Sequence, residues 1–279
     1  MQHLVDYFAT IPSAHRSLIL VGGLTLFMLL ESGIPLFRGR YAKGPHAAIN
    51  LFFTLTTVVV NFMMASVLLR ASDWTAATEF GILNWLPTMP TWLYAIVGLL
   101  LLDLIGAYFV HWSEHKVRWM WRFHLVHHTD PHVDTTTANR HHPGESVFRF
   151  VFTTVAVVLA GAPIWMVFLY QSLSAMLSQY NHANIRFPAG LDRALRWVIV
   201  TPAMHRVHHH FTLPYTDTNF GNIFSCWDRL FGTFSHLETS QIVFGIDTHL
   251  DPAEHSRIGS LLRIPFQRHR APVGAKFRE

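Results

Sequence analysis

His111-x3-His115, His124-x2-His127-His128 and His205-x2-His208-His209 are three clusters spaced for metal chemistry. The chain has 20 histidines, and thirteen of them fall in two short windows, 111–142 and 182–210. Neutral imidazole is the commonest biological ligand for zinc, iron and copper. Spacings of three and four residues put each cluster on one face of a helix. Eight imidazoles exceed the three or four that one tetrahedral zinc takes. They suit two ions, each with about four histidines and a coordination position left open. His182, in Asn181-His182-Ala183-Asn184, is expected as a ninth ligand. The single cysteine, Cys226, excludes an intrachain disulfide and a Cys-x2-Cys zinc site, so the ligands must be nitrogen and oxygen.

Other polar residues near these clusters are candidates for support. Asp103 lies two turns before His111 inside an apolar span, where an ionisable group is costly and has a partner. It either fixes a histidine tautomer or makes a helix-packing hydrogen bond. His141 and His142 precede Pro143, which breaks a helix, so they are expected beside the ligands or along a substrate channel. Glu145, Asn184, Asp217 and Asn219 are expected to support the ligands or to stabilise the cap that carries them. His132 and His210 are expected to be solvated or to support the ligands. His3, His15, His46, His236, His249, His255 and His269 stand alone and are expected at the surface.

The elements that position these residues look membrane-embedded. Of 279 residues, 51% are hydrophobic and only 14% charged, against roughly 25% charged in soluble domains. The net charge of +4 is spread along the chain, which argues against a nucleic-acid partner and fits contact with anionic headgroups. Ser17–Phe37, Ala47–Leu69 and Thr91–Val110 each approach or exceed the ~20 residues a bilayer crossing needs. The first is too long for a signal peptide's apolar region and reads as a retained helix. Val147–Tyr180 is too long for one crossing and has Gly161-Ala162-Pro163 at its middle, which predicts a hairpin of Val147–Ala160 and Pro163–Tyr180. Such a hairpin returns the second histidine window to the membrane face of the first. The expected organisation is one all-α membrane domain. Transmembrane helices occupy 1–110, a histidine-rich cap 111–146 and 181–235, and the hairpin 147–180. A polar basic tail without regular fold is expected over 236–279.

Arg38, Arg40 and Lys43 follow the first span, while Arg70, Asp73 and Glu79 follow the second. The first loop is therefore expected in the cytoplasm, and the third span then delivers the cap there, where Lys116, Arg118 and Arg122 add positive charge. Trp74, Trp85, Trp92, Trp112, Trp119 and Trp121 sit near expected helix ends, as either an interfacial belt or ordinary packing would place them. Residues 190–202 could form an amphipathic helix along the membrane surface.

The three boxes, in this order, resemble those of the fatty acid hydroxylase and sterol desaturase superfamily of membrane-bound diiron oxygenases. Similarity extends to Arg140-His141-His142-Pro143-Gly144-Glu145, Asn181-His182-Ala183-Asn184, Asp217-Thr218-Asn219-Phe220-Gly221 and Trp227-Asp228-Arg229-Leu230-Phe231-Gly232-Thr233, about residues 95–235 in all. Some relatives carry two histidines where this chain has Ser178 and His182. The resemblance implies two non-haem irons, O2 as co-substrate, and hydroxylation or desaturation of a lipid C–H bond. It also implies an external electron donor of the cytochrome b5 or ferredoxin type.

Two other readings come from the same residues. His111-Trp112-Ser113-Glu114-His115 matches the H-x-x-E-H zinc-peptidase signature, but that reading leaves the two later boxes without a role. A metal transporter would place its ligands near the membrane midplane, whereas these clusters follow the spans. Soluble carboxylate-bridged diiron bundles use Glu-x-x-His pairs, which the chain lacks.

Overall fold

In the computed structural model, which describes residues 1–39 and 41–277, the regular elements are helices, with a few isolated bridges such as Ile199 with Phe224. Arg40, counted above in the first loop's charge, and residues 278 and 279 of the tail lie outside that description. A short α1 (Gln2–Ala9) precedes α2 (Ser13–Gly33), and α3 (Lys43–Thr78) leads to the one-turn α4 (Ile82–Trp85). Next, α5 (Thr91–Asp103) continues through a π-helical stretch, Leu104–Phe109, into α6 (Val110–Lys116). An extended Val117 reverses the chain, so that α7 (Arg118–His128) folds back on α6. The hairpin is α8 (Pro143–Ala160) and α9 (Ile164–His182). Short helices α10 (Ala189–Leu195), α11 (Pro202–His208) and α12 (Cys226–Leu230) complete the cap, followed by α13 (Pro252–His255) and α14 (Ile258–Arg263).

Among the described residues, four segments are long and apolar enough to cross a bilayer: Ser13–Gly33, Lys43–Trp85, Thr91–Lys116 and Pro143–Ala160. The chain is thus a polytopic α-helical membrane protein. Its bundle core joins Leu68, Leu102, Phe150, Val157, Trp165 and Met166 from α3, α5, α8 and α9. The hairpin turns at Gly161, in the left-handed conformation with φ +68°, with Pro163 capping α9. There it packs against Gly81, φ +111°, so closely that a Cβ on Gly81 would collide with the Gly161 backbone.

α3 is longer than the 47–69 span expected. Its 36 residues measure about 54 Å, well beyond a ~30 Å hydrocarbon core. It gains about one turn at its start, 43–46, and runs on over 70–78 at its end. Its first turns belong to the cap, where Asn50 donates to Thr136 (2.9 Å) and His46 pairs with Asp130 (2.8 Å). His46 is therefore part of a buried network and not a surface residue; Arg140 joins it by donating to Asn50 (2.9 Å). His249, also expected at the surface, is buried. Glu31 of α2 accepts from the backbone N–H groups of Thr135 and Asn184, both at 2.7 Å, which ties the bundle to the cap.

The tail corrects a second expectation. It forms α13 and α14 and buries Ile246, Leu261 and Ile264 against Phe53, Trp121, Leu125 and Val126. Its apolar residues are too few and too scattered to show a period, yet they close one side of α7.

Candidate metal centre

The box histidines meet where α6 and α7 fold together, the hairpin returns and α11 crosses. Pro143 occupies the first position of α8, preset by its fixed φ. His142 caps that helix, its Nδ1 accepting from the Gly144 N–H at 3.0 Å. This leaves Glu145 in the first helical turn, where the helix dipole favours a carboxylate. Pro202 starts α11 in the same way.

Nine imidazoles converge there in two groups. His111, His115, His124, His128 and His208 form one; His127, His182, His205 and His209 form the other. Within each group the facing nitrogens all lie within 4.8 Å of one another. Each H-x2-HH box is therefore split between the groups, not kept on one helix face. On α7 the i,i+4 pair His124 and His128 faces the first group and His127 the second. On α11 the pair His205 and His209 faces the second and His208 the first.

The rings are 0–7% exposed. Nδ1–H of His111 donates to the Phe220 carbonyl (2.9 Å), that of His208 to Thr218 (2.8 Å), and that of His182 to Ser178 (2.7 Å). A carbonyl can only accept, so each of these rings carries its proton on Nδ1 and presents a lone pair at Nε2. Nε2 of His111, His115 and His208 are buried without a partner. The Nε2 atom of His182 lies 3.0 Å from that of His205 and 3.2 Å from those of His127 and His209. In the first group, His124 and His128 approach at 3.2 Å. Two nitrogens bound at right angles to one ion, each at about 2.1 Å, stand about 3.0 Å apart. Converging lone pairs at that separation fit a shared cation better than any hydrogen bond. Among the rings outside the spans, His124, His127, His128, His205, His208 and His209 all titrate well below the usual imidazole range, because burial and then the neighbouring histidines disfavour a charge. Neutral imidazole is the form that binds metal.

Carboxylates stand behind the first group. Glu145 accepts from His124 Nδ1 at 2.7 Å, and Asp217 lies 3.5 Å from His115 Nδ1 while paired with Lys116. Glu114 is fully buried, 3.6 Å from His124 Nδ1, and Arg149 links it to Glu145. That arginine fills the place a third cation would take among Glu114, His124 and Glu145. A glutamate so held is not free to act as the base of a zinc peptidase, and neither that reading nor a transporter is supported.

The remaining candidates lie elsewhere. Asp103 touches no histidine: it accepts from the Ile223 and Phe224 N–H groups (3.2 and 3.0 Å) and from Trp227 Nε1 (3.0 Å). The π-helical stretch between Asp103 and His111 turns the two faces apart, as an inserted residue in a helix does. His142 is the helix cap described above and also contacts the Leu262 carbonyl. Asn184 pairs with the backbone of Phe37, and Asn219 with the carbonyls of Met204 and Ser235. They stabilise the cap. His210 accepts from the Val243 N–H, and His132 stacks on Tyr41. His141 adjoins His127, with ring centres 5.0 Å apart, and its Nε2 is 3.7 Å from Glu145. Sequence reasoning gave no role to Arg149, nor to the carbonyls of Phe220, Thr218 and Ser178. Carbonyls leave no mark in a sequence, but Asp228 does. It holds the Phe220 and Gly221 N–H groups (2.7 and 2.9 Å) and so aims the Phe220 carbonyl at His111.

Residues 95–233 match the fatty acid hydroxylase family. The chain is 28% identical over 150 residues to ornithine lipid hydroxylase OlsE of Rhizobium tropici, a match covering 54% of this chain and 44% of that protein. It is 27% identical over 212 residues to alkylglycerol monooxygenase of Danio rerio, covering 74% and 45%. It is 25% identical over 230 residues to cholesterol 25-hydroxylase-like protein 2 of Danio rerio, covering 81% of each chain. The chain thus spans under half the length of the first two relatives. No solved structure matches it.

Proposed function

We propose that this chain, which belongs to the fatty acid hydroxylase and sterol desaturase superfamily, is a membrane-bound diiron oxygenase acting on a C–H bond of a lipid. The observation that carries the reading is the pair of imidazole groups, which share α7 and α11 at the end of the third span. His111, His115, His124, His128 and His208 would hold one ion and His127, His182, His205 and His209 the other. Iron there would supply O2 activation, which zinc, having no redox chemistry, does not.

For hydroxylation, one O2, two electrons and two protons convert C–H into C–OH and one water; for desaturation the same inputs yield a double bond and two waters. By the family resemblance, the two electrons would come from an external donor of the cytochrome b5 or ferredoxin type. The chain's own residues prepare the site. The carbonyls behind His111, His208 and His182 fix ring orientation and tautomer. Near-complete burial keeps bulk water from the imidazole groups. Because α5 and α6 carry the site out of the bundle in one run of about 39 Å, a lipid can reach it without leaving the bilayer edge. Substrates of the sterol, fatty acyl, sphingoid or alkylglycerol type all fit this reading, and the relatives' names span several lipid classes. Lys116 at the end of the third span and Arg118 and Arg122 just beyond it favour the cytoplasmic side for the cap.

The test is direct. Purified protein in lipid nanodiscs, loaded with ferrous iron and given O2 and a reduced donor, should change a lipid in a total extract by one added oxygen or two lost hydrogens, read by mass spectrometry. His127→Ala should insert normally and give no product. Product formation that survives His127→Ala and His208→Ala alike would refute the assignment.

A further inference from the structure

The two imidazole groups differ in how firmly their rings are held. In the five-histidine group, four rings are fixed from behind. His111 and His208 donate to the carbonyls of Phe220 and Thr218, His124 to Glu145, and His115 faces Asp217. Those partners are themselves anchored: Asp228 grips the Phe220 and Gly221 N–H groups, Arg149 holds Glu145, and Lys116 holds Asp217. Only His128 in this group has a buried Nδ1 without a partner. In the four-histidine group, His182 donates to Ser178, while Nδ1 of both His127 and His205 is buried with no protein partner.

A hydrogen bond behind a ligand ring fixes its orientation and tautomer and raises the basicity of the metal-facing nitrogen; losing such a partner costs about 10–100-fold in metal affinity. The five-histidine group has the advantage in ligand count as well as in support. We infer that the two ion positions are unequal: the five-histidine position fills first and holds its ion tightly, and the four-histidine position is the labile one, with more of its coordination shell left for exchangeable ligands. This rests on the reading that each group holds one ion.

The experiment uses the full chain in detergent, loaded anaerobically with ferrous iron to two ions per chain and then mixed with excess 2,2′-bipyridine, whose iron complex is followed by absorbance. Release should be biphasic, one ion per chain in each phase, with rates at least about tenfold apart. His205→Ala should load one ion and release it at the slow rate. Two ions leaving in a single phase would overturn the inference and leave the proposed function standing. So would a His205→Ala protein that keeps the fast ion and loses the slow one. Failure of the unaltered chain to load two ions would remove both. The biphasic release needs no variant, so it decides the question even if His205→Ala does not fold.

Discussion

Acidification should unfold the metal-free protein steeply, because its histidine core must stay neutral to stay folded. His124, His127, His128, His205, His208 and His209 are buried, and burial followed by mutual repulsion lowers each below the ordinary imidazole value of 6.5. With the folded value depressed, the unfolded chain binds more protons, so the stability these rings contribute is present above about pH 6.5 and lost as pH falls. An imidazole that remains neutral in the fold but titrates freely when unfolded removes about 1.4 kcal/mol of stability between about pH 7.5 and about pH 5.5. Six such rings, all staying neutral in the fold, would remove at most about 8 kcal/mol, comparable to the whole stability of a typical domain. The assay is thermal unfolding of chelator-treated protein in detergent, followed by tryptophan fluorescence across that pH window. Tm should fall steeply below about pH 6.5 and recover when pH is restored. A Tm that stays level to about pH 5.5 would show that these rings are not held neutral in a buried cluster.

Further perturbations separate the parts of the site. Arg149→Met would leave Glu114 and Glu145 buried without their shared cation and should cost about 3–5 kcal/mol, read as a lowered unfolding midpoint; an unchanged midpoint would contradict the pairing. Glu145→Ala removes the acceptor behind His124 and should weaken metal binding by about 10–100-fold, with metal titration as the check. Asp103→Ala frees the Ile223–Trp227 loop and should lower metal content through the misplaced Phe220 carbonyl while membrane insertion stays normal; normal metal content would show that the loop holds its place without that carboxylate. Gly81→Ala combines a strained φ with a backbone collision at the hairpin turn and should cost about 1–3 kcal/mol or more; a neutral result in the same unfolding assay would refute the close packing.

The parts of this fold that were legible are those in which a local pattern has one physical meaning. Apolar runs of bilayer length gave the spans, and Gly161-Ala162-Pro163 gave the hairpin turn because only such residues permit so tight a reversal between helices. Histidine spacing marked the residues that meet, but not their division. An i,i+3,i+4 triplet on one helical face can look toward one ion or straddle two, and only the crossing of α7 with α6 and α11 decides. Arg70 and Asp73 mark the end of an apolar run but not of the helix, which continues to Thr78, because a helix can run past a bilayer into water. An aspartate inside an apolar span demands partners, but those of Asp103 lie 120 residues or more along the chain and two are backbone N–H groups. The tail's burial of Leu261 and Ile264 against α7 is likewise a tertiary event that no window of sequence encodes.

Metal counting with nitrogen-ligand spectroscopy tests the central claim most directly. The protein, purified after iron-replete expression, should carry two iron ions per chain, with X-ray absorption showing histidine nitrogen as the dominant ligand. His208→Ala and His205→Ala should each weaken a different ion. A single ion per chain, or two ions whose occupancy is indifferent to both substitutions, would contradict it.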